Sequence, residues 1–476
     1  MTYDNGLENI LLTGATGVMG GRLLQELLST TKATVYCLVR AADMAEAMGK
    51  VESILFCYDE ERGLKGEAAA RIVPVLGDVS RSHLGLQRQV WRDLAEKIDL
   101  ALHCAANVNL IASYSKIAPV NVGGSANMVE FCLEGKIPLM HTSSFSVIGD
   151  KLYEEFTLYE DALDVGQRFP DMDYERSKFE SEKLMHAAGQ KGLDFIIVRP
   201  GNIWGDSRTG RYPLTQTKVK GIYYEAVRAI VETGFTFASD EDFDITPVDY
   251  VARASLHLAM NWRAHNRRTF NLVNPKPIDW NALVEQVRDC GYVVRELSRD
   301  NYFDALNQGR MLREGKAYSS VFTDLLSMLG NADYVRDSAR YDTGNARQAL
   351  AGTGISCHEC DVMLMMRYLD YAFEKGFLPL AGSGFPLAEI SRTVAPRGFM
   401  EQRSVVDRRG NCCVDCRPFV GERPCGENSK DKQRQSEGDR AAGFRFSMTI
   451  GRRLNRRLAK VELRLEFPSG ANHGII

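Results

Sequence analysis

Asn9-Ile-Leu-Leu-Thr13-Gly14-Ala-Thr-Gly17-Val-Met-Gly20 is the stretch that decides the fold. Asn9 to Thr13 is a short apolar run that predicts a buried strand. Beyond the glycines, Leu23, Leu24, Leu27 and Leu28 recur at helix spacing. Strand, glycine turn and helix together form the context that a dinucleotide-binding turn needs. Gly14 permits the tight turn, and Gly17 lets the backbone approach a pyrophosphate. Gly20 and Gly21 let the helix pack closely on the sheet, and its N-terminus offers free N–H groups to phosphates. The spacing is G-x-x-G-x-x-G rather than G-x-G-x-x-G, and the plain alternative is a structural turn.

The same pattern continues along the chain. Ala33 to Val39 predicts a second strand, which ends in Arg40. An acidic residue near this point would bind the ribose 2′-hydroxyl of NAD, whereas an arginine suits a 2′-phosphate, so NADP(H) is favoured. Arg71 to Asp78 predicts a third strand, with Asp78 either at the adenine edge or serving as a turn residue. Asp99 to Ala106 predicts a fourth, whose small Ala105 and Ala106 leave room for a cofactor. His103 reads as a packed strand residue. Pro138 to Thr142 and Gly192 to Val198 predict two more strands. Alternating strands and helices over residues 8–205 predict an α/β, Rossmann-type, doubly wound parallel sheet. Glycine and proline crowd Arg199–Gly210, where a smaller, mostly helical substrate-binding domain is expected to begin. Two later pieces, Ile245–Asp249 and Arg268–Val273, look like returns to the first domain. The expected division is residues 1–204 plus about 244–274 for the nucleotide domain and about 205–243 plus 275–381 for the substrate domain. Helices are predicted at Trp280–Val287, Ala317–Leu329 and Cys360–Phe377.

Composition sets outer bounds. The chain has 476 residues, 44% of them hydrophobic and 25% charged, with net charge −3, which gives no case for nucleic acid as a partner. Its 11 cysteines are scattered, several in apolar runs, as suits buried thiols in a reducing compartment. No apolar run approaches the ~18 residues of a membrane span. With no basic leader at the start, a cytoplasmic protein is expected. From residue 382 the pattern changes to an Arg-, Gly- and Ser-rich tail, basic and expected to be flexible. Cys412, Cys413, Cys416 and Cys425 cluster there with no ordinary zinc spacing, so no metal is expected. Arg452 to Phe467 would form a basic amphipathic helix.

Tyr174-Glu-Arg-Ser-Lys178 carries the chemistry. Four residues apart on a helix, the phenol and the ammonium share one face. The positive charge is expected to lower the phenol's pKa from ~10 and fit it for proton transfer to a reacting oxygen. Tyr153 has no lysine four residues on. Ser144, after the fifth strand, offers a hydroxyl beside Tyr174, with Ser143 as the competing choice. Asn121 either helps hold a water relay to Lys178 or is a helix cap or satisfied polar core residue.

These residues resemble the extended short-chain dehydrogenase/reductases. More narrowly, the chain resembles the thioester reductases, the terminal reductase domains of nonribosomal peptide synthetases and carboxylic acid reductases. The narrower likeness rests on Leu12–Gly17, Cys37–Arg40, Gly77-Asp78, His103–Asn109 and, most specifically, Arg199–Gly210 with its Gly-Asp-Ser-x-Thr-Gly element. It covers about residues 8–380. The resemblance implies Ser144, Tyr174 and Lys178 as the catalytic residues and NADPH as cofactor. It places the cofactor against Gly14, Thr16, Gly17, Val18, Met19 and Gly20, then Arg40, Asp78 and Val79. Ala105, Ala106, Asn107 and Asn121 follow, and then Tyr174, Lys178, Pro200, Gly201 and Ile203. It implies hydride transfer to an acyl thioester on a carrier protein or coenzyme A, with Tyr174 as proton donor. The product is an aldehyde, and a second transfer would give an alcohol. No carrier-like segment precedes residue 8, so the thioester is expected to arrive in trans. Two other readings stay open: a nucleotide-sugar epimerase or dehydratase, and a non-catalytic NADP(H) sensor.

Overall fold

The computed structural model describes residues 2–3, 5–58, 67–110, 112–149, 156–169, 173–215, 221–239, 242–307, 311–313, 316–317, 339–381 and 389–390. The remaining positions, among them Tyr153, the four clustered cysteines and the amphipathic stretch 452–467, lie outside the described residues.

Seven parallel strands form the central sheet: β1 (Asn9–Thr13), β2 (Thr34–Val39), β3 (Ile72–Leu76), β4 (Leu100–His103), β5 (Leu139–Thr142), β6 (Phe195–Pro200) and β7 (Arg268–Leu272). Their spatial order is β7-β6-β5-β4-β1-β2-β3. The order reverses between β1 and β4, where Leu12 pairs with Cys37 on one side and Leu102 on the other. Crevices at such reversals, outside the carboxyl ends of the strands, are where open α/β sheets bind ligands.

Both faces of the sheet are buried, which explains the near-continuous apolar runs. On one face, Ile10, Leu12, Leu102, Met140, Ile196 and Val198 meet α1 (Val18–Thr30), α2 (Met44–Tyr58) and α7 (Val248–Met260). The leucines at helix spacing do this packing: Leu23, Leu24 and Leu27 sit in one cluster with Val251 and Leu256. On the other face, Leu11, Ala101, Leu139 and Ile197 meet α3 (Arg88–Lys97), α4 (Gly124–Gly135) and α5 (Asp173–Gln190). The alternation of faces with a period of two is what the strand register requires.

A second core lies outside the sheet. Trp204, Tyr224, Phe237, Trp280, Tyr302, Leu364 and Tyr368 are buried in it. They come from the short strand Ile203–Trp204, from α6 (Ile222–Thr233), α8 (Trp280–Asp289) and α9 (Val362–Glu374), and from the segments between these helices. Trp204 lies against Tyr224 and Tyr368 with ring centroids 5.0 and 5.8 Å away. The helix expected over Ala317–Leu329 is not seen in the part described: Ala317 ends a two-residue strand, Lys316–Ala317, and the rest lies outside.

Candidate active site

The glycine turn is built as its spacing requires. Gly14 has φ +76, and a Cβ there would stand 2.6 Å from the Cys104 carbonyl carbon. A Cβ on Gly20 would stand 2.1 Å from the Gly14 oxygen, and one on Gly17 3.1 Å from it. Gly21 differs from expectation: its missing side chain makes room for Ile54 of α2, 2.3 Å from where a Cβ would lie, and not for the sheet. Gly17 begins α1 with no side-chain cap, and the first turn carries no acidic residue. That end of the helix offers backbone donors and a positive dipole end to an anion. A pyrophosphate therefore fits the residues present.

The other expected cofactor residues follow along the same edge. Arg40 is exposed just past β2. Asp78, past β3, accepts from the Ser80 N–H at 2.9 Å and the Ser80 hydroxyl at 2.7 Å. Burial opposes ionisation of that carboxyl, but the Ser80 bonds and Arg40 outweigh it and hold its pKa low. Val79 is buried against Gly124. Ala105 and Ala106 are half-buried past β4. Pro200 ends β6, and Gly201 leads to the short strand Ile203–Trp204.

Past β5 the backbone presents two serines. Ser143 donates its N–H to the Val198 carbonyl at 2.8 Å, and its buried hydroxyl has no partner among the described residues. Ser144 caps a short helical turn, Phe145–Ile148. Its hydroxyl accepts from the Ser146 N–H at 3.2 Å and lies near enough to the Tyr174 phenol to favour its ionised form. Ser144, not Ser143, thus meets Tyr174.

Tyr174 and Lys178 stand one turn apart on α5, Lys178 almost wholly buried. The expected lowering of the phenol's pKa is absent. Burial pushes Tyr174 up to about 12, only partly offset by the Ser144 hydroxyl. The Lys178 ammonium instead donates to the Thr142 carbonyl at 2.8 Å. Burial brings its own pKa down to about 8, against the opposing pull of Cys104 and Glu182. Desolvation is the largest cause of both shifts. A phenol in this state is a neutral hydrogen-bond donor.

Asn121 sits in a single π turn, Pro119–Gly123, ahead of α4. Its Nδ2 donates to the Asn107 carbonyl at 3.1 Å and to Ser177 Oγ at 2.9 Å, and its Oδ1 accepts from the Asn107 N–H at 2.7 Å. Ser177 in turn donates to the Tyr174 carbonyl at 2.7 Å. The geometry is that of a hydrogen-bonded core amide that braces α5. His103 is a packed strand residue: Thr13 Oγ1 lies 2.8 Å from its Nδ1, and burial brings its pKa down to about 3.

Comparisons with known proteins place the chain in a family. The family model described as male sterility protein matches residues 12–255, half of the chain. A crystal structure of the terminal R domain from the myxalamid PKS-NRPS biosynthetic pathway is 32% identical, with a TM-score of 0.69, covering 78% of this chain and 92% of that one. The chain belongs to the thioester reductase family. This reductase is an oxidoreductase with a nicotinamide-binding fold of the extended short-chain type. It is also 28% identical to the isonitrile lipopeptide synthase of Streptomyces coeruleorubidus, over 78% of this chain and 25% of that protein. It is 28% identical to the L-2-aminoadipate reductase large subunit of Eremothecium gossypii, over 80% of this chain and 28% of that protein. The reductase thus spans less than a third of these two curated relatives.

The Gly205–Gly210 element, on which the narrower likeness most specifically rests, is tied up within the chain itself. Asp206 pairs with the buried Arg22 of α1 at 2.9 Å, and Ser207 bonds the Asp249 carboxylate of α7 through its N–H and hydroxyl, both at 2.7 Å. From α9, Arg367 donates to the Ser207 carbonyl and Tyr368 to the Gly205 carbonyl. Two further features escaped the sequence reading. Arg199 and Glu182 form a fully buried ion pair behind Lys178. Asn202 and Tyr223 meet beside Tyr174. Neither has a local signature, because each joins residues distant in the chain. Among the described residues no group of three His, Cys, Asp or Glu could hold a metal ion, and no helix is long and apolar enough to cross a membrane.

Proposed function

We propose that the chain reduces an acyl thioester, delivered on a carrier-protein pantetheine arm or on coenzyme A, to an aldehyde with NADPH. The observation that carries this reading is the Ser144–Tyr174 hydroxyl pair at the carboxyl end of β5, with Lys178 one turn along, in a chain of this family. When bound, NADPH supplies the hydride. Tyr174, neutral at ordinary pH, donates a hydrogen bond and then its proton to the oxygen of the reacting carbonyl, and Ser144 is the second donor. Lys178 holds the nicotinamide ribose, and the hemithioacetal collapses to aldehyde and free thiol. Gly14, Thr16, Gly17, Val18, Met19 and Gly20 hold the phosphates, with Asp78 and Val79 at the adenine. Ala105, Ala106, Asn107, Pro200, Gly201 and Ile203 would line the rest of the cofactor's course, with Asn121 bracing α5 from the core. Residues 205–243 and 275–381 form the substrate-binding domain, whose packed core shields the reaction from water.

The test is incubation with NADPH and a panel of acyl-CoA and acyl-carrier thioesters, following cofactor oxidation and product mass. Aldehyde and free thiol in equal amounts are expected. Turnover of nucleotide sugars, with no thioester reduced, would overturn the reading.

Arg40 is assigned the 2′-phosphate. Arg40→Ala is expected to raise KM for NADPH about tenfold or more, the loss of one charge-assisted hydrogen bond. NADH kinetics should stay unchanged. A KM for NADPH equal to that of the unmodified protein would move the specificity elsewhere.

A further inference from the structure

Asn202 follows β6 at the carboxyl edge of the sheet, with only 5% of its surface exposed. Its backbone is fixed: the N–H donates to the Asp244 carboxylate, which also accepts from the Asn274 N–H and the Thr246 hydroxyl, both at 2.9 Å. A Cβ on the preceding Gly201 would stand 2.2 Å from that carboxylate, so only glycine allows the approach. The side chain is held at one end only. Tyr223 of α6 donates to Oδ1, whereas Nδ2 is buried with no partner among the described residues.

An unpaired buried amide donor is unfavourable and calls for a reason. Here it stands beside the chemistry. The Tyr223 phenol is near enough to Tyr174 and Tyr341 for their charges to oppose its ionisation. Through Tyr223, Asn202 is thus linked to the neighbourhood of Tyr174, at the carboxyl edge of the sheet.

We propose that Asn202 is a specificity-determining residue: its Nδ2 pairs with an acceptor oxygen carried by the acyl group a few atoms from the thioester carbonyl. Tyr223 is a positioning residue that holds the carboxamide through Oδ1. Acyl groups with an amide carbonyl or a hydroxyl near the thioester satisfy the donor, and a plain alkyl chain leaves it buried and unpaired. The proposal rests on the thioester reductase reading above.

The experiment measures kcat/KM for pantetheine thioesters of matched length: N-acetylglycyl, β-hydroxypentanoyl and pentanoyl. The unmodified protein should favour one or both acceptor-bearing substrates about tenfold or more over pentanoyl; which one it favours distinguishes an amide carbonyl from a hydroxyl. Asn202→Leu should abolish the preference through loss on the acceptor-bearing substrates alone. Tyr223→Phe should narrow it, mainly through KM. A general packing defect would lower all three together and leave the ratio intact. Equal rates on all three substrates with the unmodified protein would overturn the proposal while leaving thioester reduction standing, as would an unchanged ratio in either variant. Absence of turnover with every thioester would overturn the functional reading, and this proposal with it.

Discussion

Replacing Tyr174 by Phe is expected to lower the rate of hydride transfer about 10³-fold, since one oxyanion donor and the proton donor go together. Cofactor affinity should not change. Single-turnover oxidation of NADPH measures the first, and fluorescence titration of the cofactor the second. The sign of the accompanying pH profile follows from burial. Tyr174, pushed up to about 12, does not titrate near neutrality. Lys178, brought down to about 8, keeps its ammonium below that pH and loses it above. Activity against pH should therefore be flat through neutrality and fall as pH rises through about 8. The groups around the ammonium are His103 from β4, Cys104 just past it, His141 from β5 and Glu182 from α5. Both imidazoles are kept neutral by burial, so they add no second limb near pH 6.5. A rate that instead rose from pH 7 to 9 would mean that the phenolate is the working form.

Local pattern carried most of the nucleotide half of the fold. The glycine turn, the strands and the return of Arg268–Leu272 to the sheet edge all follow from short apolar runs and their punctuation. The serine beside Tyr174 was legible as one of two neighbours, and only the backbone path past β5 separates them. What the spacing of Tyr174 and Lys178 could not carry is desolvation. Two residues on one helix face predict a charge near a phenol. The sign of the phenol's shift depends on how much protein covers both, and on Thr142, 36 positions away from Lys178. The Asp206 bracing illustrates the same limit. Its signature is local, but its partners lie on α1, α7 and α9, so its structural part shows only once those helices are packed around it.

Glu182 continues the stripe of Tyr174 and Lys178 by one more turn, and its replacement should show how the catalytic helix is held. Arg199 donates to Glu182 through Nε at 2.9 Å and Nη2 at 2.7 Å, and Nη2 also donates to the Ala162 carbonyl at 2.9 Å. Both side chains are wholly buried. Glu182→Ala leaves the guanidinium desolvated and uncompensated, which typically destabilises by about 3–5 kcal/mol. Against a total stability of about 5–15 kcal/mol for a native protein, that is a large fraction. A lowered urea midpoint measures it. The pair also couples to the chemistry, because the Glu182 charge favours the Lys178 ammonium. In whatever fraction stays folded, the alkaline limb of the pH profile should move to lower pH. Glu182→Leu combined with Arg199→Met removes both charges and keeps the volume, so it should recover most of the stability. The pH limb should stay displaced, because the carboxylate is still gone. Recovery of both together would mean that Glu182 acts on Lys178 only by keeping the helix in place.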